Sequence, residues 1–238
     1  MQLHFQRALD EIHQQLLAMS GIVEQMIDKA TRSLIHQKPV LAEEVIDSDE
    51  EVNEAEVSIE EECLKILALH QPVASDLRRI ATVMKINVAL ERIADLACNI
   101  AERSQCMQMH PYFPTPDGME EMVRLATRMV QMSLDSFVKS DSELAMKVIQ
   151  TDPEVDALNK AVIAELRMLM QQDSTLVEPA LHCFSAARHI ERIGDQAENI
   201  AEDVIYVVDG DIIRHKHGEF SVHASQAVSD IEPNEDQA

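Results

Sequence analysis

The chain has 238 residues, with 20 Lys and Arg against 43 Asp and Glu and a formal net charge of −23. That charge repels nucleic-acid phosphates and bare anionic lipid, so cations and basic protein surfaces are the natural partners. Five Gly, no Trp and 3% aromatics leave little for strands, and 46% apolar residues suffice for a core. The fold class this predicts is all-α, with an aliphatic interior that 13 Met help to fill.

Apolar residues recur at three and four from Leu9 through Ile12, Leu16, Met19, Val23, Met26, Ile27 and Ala30 to Leu34. This predicts one long amphipathic helix from Leu3 to His36, with Gly21 inside it. Pro39 marks a new start, and a short helix follows from Val40 to Ile46. Asp47-Ser48-Asp49 reads as a break with a fresh N-cap, because Asp and Ser accept bonds from free amides. A long helix then runs from Asp49 to His70, and Gln71-Pro72 breaks it. Ser75 caps the next helix, to about Gln105, and Arg78 and Arg79 are expected to pair with nearby acids.

Pro111, Pro114 and Pro116 mark residues 107–118 as a linker between a first unit (1–106) and a second (119–210). The pattern then repeats. A helix spans Met119 to Lys139, and Ser140-Asp141 caps a short one to Gln150. Thr151-Asp152-Pro153-Glu154 reads as a strong helix N-terminus, with Pro at the first helical position. Its helix runs to about Gln171, Asp173 to Pro179 turns the chain, and a last helix reaches about Val208. Residues 211–238 are polar and read as a flexible tail.

The repeat is internal. Glu91 to Glu102 (ERIADLACNIAE) returns one hundred residues later as Glu191 to Glu202 (ERIGDQAENIAE), identical at nine of twelve positions. Val45-Ile46-x-x-Asp49-x-Glu51-Val52 returns as Val148-Ile149-x-x-Asp152-x-Glu154-Val155, at an offset of 103. The second hairpin is therefore three residues shorter, and the expected architecture is two tandem, duplicated three-helix bundles.

At about 100° per residue, Glu91, Asp95 and Glu102 share one side of a helix, opposite Ile93, Leu96, Ala97, Ile100 and Ala101. Glu191, Asp195, Glu198 and Glu202 make the same acidic face in the second copy. The plain reading is a solvated amphipathic face. Hairpin geometry adds a second one. Asp49 and Asn53 are spaced i,i+4, as are Asp152 and Asp156. Across the turn at Pro72, Asp49 lies level with Asp95, and Asn53 with Glu91. Across the turn at Asp173 and Ser174, Asp152 lies level with Asp195, and Asp156 with Glu191. Each half thus places two pairs of oxygen donors at one height on neighbouring helices. Oxygen-only ligation suits Mg²⁺, Mn²⁺, Ca²⁺ or iron rather than structural Zn²⁺. The site is weaker in the first half, where Asn53 stands for Asp156.

Other chemistry finds less support. A di-iron oxidase would place His three residues after Glu, where this chain has Ala94 and Gly194. No Gly-rich phosphate loop or nucleophile–base grouping is visible. A metal-dependent enzyme or a bare metal-binding bundle using the same carboxylates remains the alternative. Cys63, Cys98, Cys106 and Cys183 show no CxxC pairing and read as reduced thiols. The start lacks an apolar h-region, and no run approaches a membrane span, so the expected location is cytoplasmic.

The run Gln71-Pro72-Val73-Ala74-Ser75-Asp76-Leu77-Arg78 and the duplicated Glu-Arg-Ile-(Ala/Gly)-Asp motifs resemble the PhoU family of bacterial phosphate-signalling accessory proteins. The resemblance covers Leu3 to Val208. Asn53 departs from the family's acid-x-x-x-acid pattern, and Ala94 from its commoner Gly. The resemblance implies a homodimer of two three-helix bundles with metal clusters, at Asp49, Asn53, Glu91 and Asp95 and at Asp152, Asp156, Glu191 and Asp195. It also implies a non-enzymatic adaptor at the inner face of the membrane. Such an adaptor links a phosphate ABC transporter ATPase to a sensor histidine kinase, restraining uptake and the starvation response.

Overall fold

A computed structural model describes residues 2–210. The expected tail, 211–238, lies outside the described residues. Among them the chain is helical with no strand: α1 (Gln2–His36), α2 (Pro39–Asp47), α3 (Asp49–His70), α4 (Ala74–Met107), α5 (Met119–Lys139), α6 (Ser142–Gln172) and α7 (Val177–Asp209). A single 3₁₀ turn, Ser174–Leu176, joins α6 to α7. The helix-period stripe expected along α1 is its buried face, from Leu9 to Leu34.

Three starts differ from expectation. The expected break before Pro153 is absent, and α6 runs unbroken from Ser142 to Gln172. An interior proline deletes one helical hydrogen bond and normally disrupts the helix. Here Ala145 and Val148 are buried before it and Val155, Val162 and Leu166 after it, so packing on both sides carries the helix through. Asp141 does cap this helix, its Oδ1 accepting from Leu144 N at 2.9 Å. Between α2 and α3 the break is only Ser48, whose backbone stays helical (φ −78, ψ −11). Its hydroxyl donates back to Glu44 O at 2.8 Å, so it caps nothing. Ser75 does not cap α4 either; the helix begins at Ala74, after an extended Val73.

Each half is a three-helix bundle, α1 with α3 and α4, and α5 with α6 and α7, with α2 lying on α1 and α4. Asp173 steers the second hairpin, its Oδ1 accepting from Thr175 N at 2.8 Å. The halves do not stand apart. α4 packs against α7 as fully as α6 does. Lys85 Nζ meets Asp203 Oδ1 at 2.9 Å near one end of this contact. Met84, Val88 and Arg92 share a cleft there with Gln196, Asn199 and Glu202, and Arg103, farther along α4, acts on His189, earlier on α7, so the two helices run antiparallel. A helix with packing on both sides is apolar nearly all round. α4 accordingly buries Ile86, Leu90, Ile93 and Ile100, and also Ala89, Leu96 and Ala97.

Candidate functional site

The two acidic faces lie along α3–α4 and α6–α7. The apolar residues expected opposite them, Ile93, Leu96, Ala97, Ile100 and Ala101, are all buried. That burial rotates the carboxylates outward and toward the neighbouring helix of the same hairpin.

In the first half, Asp49 faces α4. The Cys98 thiol lies 3.5 Å from Asp49 Oδ1. Burial, then the charge of Asp49, raises the pKa of Asp95. Glu91 is raised by burial, then by Asp95, Glu56 and Asp49. Asn53 is exposed and donates to Asp49 Oδ2 at 3.0 Å, along its own helix. Asp49, Glu91 and Asp95 are therefore brought together, and Asn53 is tied to Asp49.

In the second half the coupling is denser. Asp195 is raised by burial, then by Asp152 and Asp156 across the hairpin. Glu191 is raised by burial, Asp195 and Asp156, although Arg188 Nη1 donates to its Oε1 at 2.8 Å. Lys160 stands 3.5 Å from Asp156 Oδ2. Two further residues belong here. Glu198 is pushed up to about 7 by burial, then by Asp152, Glu202, Asp195 and Asp156. Glu202 is 7% exposed. Their spacing on the acidic face was the signal for them; pairing residues level across the turn passes them over, because Ile149 and Ala145 stand level with them. The position matching Glu198 in the first half is Cys98, whose thiol is pushed up to about 12, chiefly by burial. It stays protonated at neutral pH, so the first face has one formal charge fewer there and another fewer at Asn53.

Carboxylates that raise one another's pKa fit a hard cation, whose charge would relieve their repulsion. The donor types thus suit Mg²⁺, Mn²⁺, Ca²⁺ or iron. As the side chains stand, no three His, Cys, Asp or Glu among the described residues are arranged to hold a metal ion.

Gly194 sits beneath this face. A Cβ there would stand 3.6 Å from Val155 Cγ1 and 3.7 Å from Asp152 Oδ1 and Met129 Sδ, which is ordinary contact. Ala94, at the same place in the first half, is 1% exposed. We expect Gly194→Ala to stabilise the protein by up to about 1 kcal/mol, the propensity gain of Ala over Gly. Urea denaturation measures it; a loss of stability would mean that the acidic face needs the open space.

The other distinctive run turns the first hairpin. Gln71 adopts the left-handed conformation that ends α3 (φ 46, ψ 54). The expected pairing of Arg78 and Arg79 with acids does not occur: neither forms an ion pair among the described residues, and Arg78 Nε is buried without a partner. All four cysteines are free.

The PhoU-domain family model matches residues 16–104 and again 119–204, one match per bundle. A phosphate-specific transport system accessory protein PhoU homolog from Pseudomonas aeruginosa is 40% identical over 214 residues, covering 89% of this chain and 88% of that protein. The PhoU homolog of Aquifex aeolicus is also 40% identical, over 89% of this chain and 96% of its own. The crystal structure of PhoU from Pseudomonas aeruginosa superposes with a TM-score of 0.84 at 38% identity, covering 87% of this chain and all of that one. The phosphate transport system regulatory protein PhoU from Streptococcus pneumoniae gives 0.81 at 26% identity, covering 87% of this chain and 98% of that one. With both bundles matched and these relatives aligned over nearly nine-tenths of its length, the chain belongs to the PhoU family.

Proposed function

We propose that this chain is a non-enzymatic regulator of phosphate homeostasis that restrains phosphate uptake and the phosphate-starvation response. The observation that carries this is the pair of PhoU domains in one chain whose relatives are named accessory and regulatory proteins of phosphate transport. In this reading it couples a phosphate ABC transporter ATPase to a sensor histidine kinase, as a cytoplasmic homodimer held at the inner membrane face by its protein partners. No helix among the described residues is long and apolar enough to cross a membrane. Long helices with solvated faces offer broad docking surfaces, and the net negative charge favours basic ones.

The carboxylate clusters bind metal cations in the same proposal, through Asp152, Asp156, Glu191 and Asp195, and more weakly through Asp49, Asn53, Glu91 and Asp95. A bound cation supplies positive charge that holds the two helices of a hairpin together; the chain's own acids set its position. The test of the regulatory role is genetic. A strain lacking this protein, grown in ample phosphate, is expected to show high, derepressed phosphatase output. Output as low as in the parent would overturn the role.

A further inference from the structure

We infer that the cleft between α1 and α5 binds a phosphate-type oxyanion, held by Arg128 together with Arg32 and Arg124. The cleft is about 510 Å³ and lies where the first helices of the two halves meet. Gln131 Nε2 reaches Glu24 Oε2 at 3.5 Å across it. Counting down both helices from that contact, antiparallel α1 and α5 bring Asp28 level with Thr127 and Arg128, and Arg32 level with Arg124. Three guanidinium groups from two helices therefore line one cleft.

Their charges are unequally satisfied. Arg32 Nη1 donates to Asp28 Oδ2 at 2.9 Å, one turn back on its own helix. Arg124 grips the Glu121 carboxylate through Nε at 2.7 Å and through Nη2. Arg128 forms no ion pair among the described residues. Asp28 answers Arg32, Glu121 answers Arg124, and Glu24 is held by Gln131, which leaves Arg128 as the unmatched charge of the cleft. Arg32 uses one nitrogen on Asp28, so its remaining N–H donors are free to turn to a ligand. Thr127 and Gln131 add a hydroxyl and an amide on the same wall.

The ligand class follows from the donors. Guanidinium forks match the paired oxygens of phosphate, and such charge-assisted bonds are the stronger kind. A tetrahedral phosphate has an oxygen for each of three arginines; a carboxylate has two in one plane. The cleft falls in the size range of small-molecule sites and exceeds a bare ion. The phosphate is thus either free inorganic phosphate or the phosphate group of a small molecule.

Titration calorimetry on the metal-free full chain at low ionic strength tests this, because exposed charge is screened by salt. The probes are inorganic phosphate and a nucleoside monophosphate, with acetate as control. We expect saturable binding of one phosphate probe per chain, at least tenfold tighter than acetate. Equal affinity for both phosphate probes would identify free phosphate as the ligand, and tighter monophosphate binding a phosphorylated small molecule. Arg128→Gln should weaken binding at least tenfold, and Lys65→Gln, an exposed cation on α3, should leave it unchanged. No binding of either probe, or an Arg128→Gln affinity within twofold of the parent, would overturn the site. Because purified chain alone is used, this outcome is separate from the phosphatase result in the deletion strain.

Discussion

Metal-free protein is expected to melt several degrees higher at pH 5.5 than its acidic clusters allow at pH 8, and Glu198→Gln is expected to remove most of that difference. Glu198 has its folded pKa raised from 4.5 to about 7. Between those values the folded chain holds a proton that the unfolded chain has released, so stability falls as pH rises through the window. At about 1.4 kcal/mol per pKa unit the limit is roughly 3 kcal/mol, and partial exposure to water cuts this to about 1–2 kcal/mol. In a chain this long that is about 2–8 °C in Tm. Glu91, Asp95, Glu191 and Asp195 are raised too and act in the same sense. His182 and His189 oppose them: burial and nearby arginines lower both, so they cost stability as pH falls. The difference between parent and Glu198→Gln, followed by thermal melts, isolates the carboxylate. A cation that binds the folded clusters should raise Tm at pH 8, since a ligand selective for the native state stabilises it. With Mn²⁺ as the probe, Asp195→Ala should lose most of that gain. Equal pH slopes in parent and Glu198→Gln would show that Glu198 is not pressed by its neighbours. An undiminished Mn²⁺ gain in Asp195→Ala would place the ion elsewhere.

The helices and their buried faces were legible in the sequence because periodicity reports burial directly. Leu9 to Leu34 and Ile93 to Ala101 fall on the core as their spacing requires. The duplicated motif located both acidic faces, and hairpin arithmetic brought Asp49 toward Asp95 and Asp152 toward Asp195. Local capping signals were less informative. Thr151-Asp152-Pro153 has the composition of a helix start, yet packing of Val148 and Val155 on one core overrides it. Asn53 is level with Glu91 by number, but a side-chain amide one turn from a carboxylate satisfies itself there, on Asp49. The pairing expected of Arg78 and Arg79 is absent, because closeness in sequence does not report which side chains of neighbouring helices come within reach. The α4–α7 contact was also hidden. Residues 107–118 carry the proline signature of a linker, and nothing local reveals that α4, which precedes it, packs against α7, the last helix of the second half.

That contact makes the halves one cooperative unit, and Leu90→Ala is the substitution that shows it. Leu90 is fully buried on α4, in the first half. Truncating it to Ala removes apolar contact and leaves a cavity, at a cost of about 3 kcal/mol. For a chain this size the expected fall in Tm is about 6–12 °C. Two bundles joined by a flexible linker would confine that loss to the first. Here α4 lies between its own bundle and α7, so losing its packing strips α7 of a neighbour as extensive as α6. A reporter sits in the second half: Tyr206 on α7, with Lys85 Nζ 5.5 Å from its ring centroid. The chain has two tyrosines and no Trp, so in a Tyr112→Phe background fluorescence comes from Tyr206 alone. We expect circular dichroism and Tyr206 fluorescence to shift together in Leu90→Ala and to trace a single transition. If Tyr206 kept the parent's melting temperature while the helical signal fell in two steps, the bundles would be independent, and the α4–α7 contact would add nothing to stability. Coincident curves mean instead that an event at either acidic face is felt across the shared pair of helices. Both hairpins contribute a strand of carboxylates to that pair, one on α4 and one on α7, so relieving the charge on one face stiffens a helix on which the other half also packs.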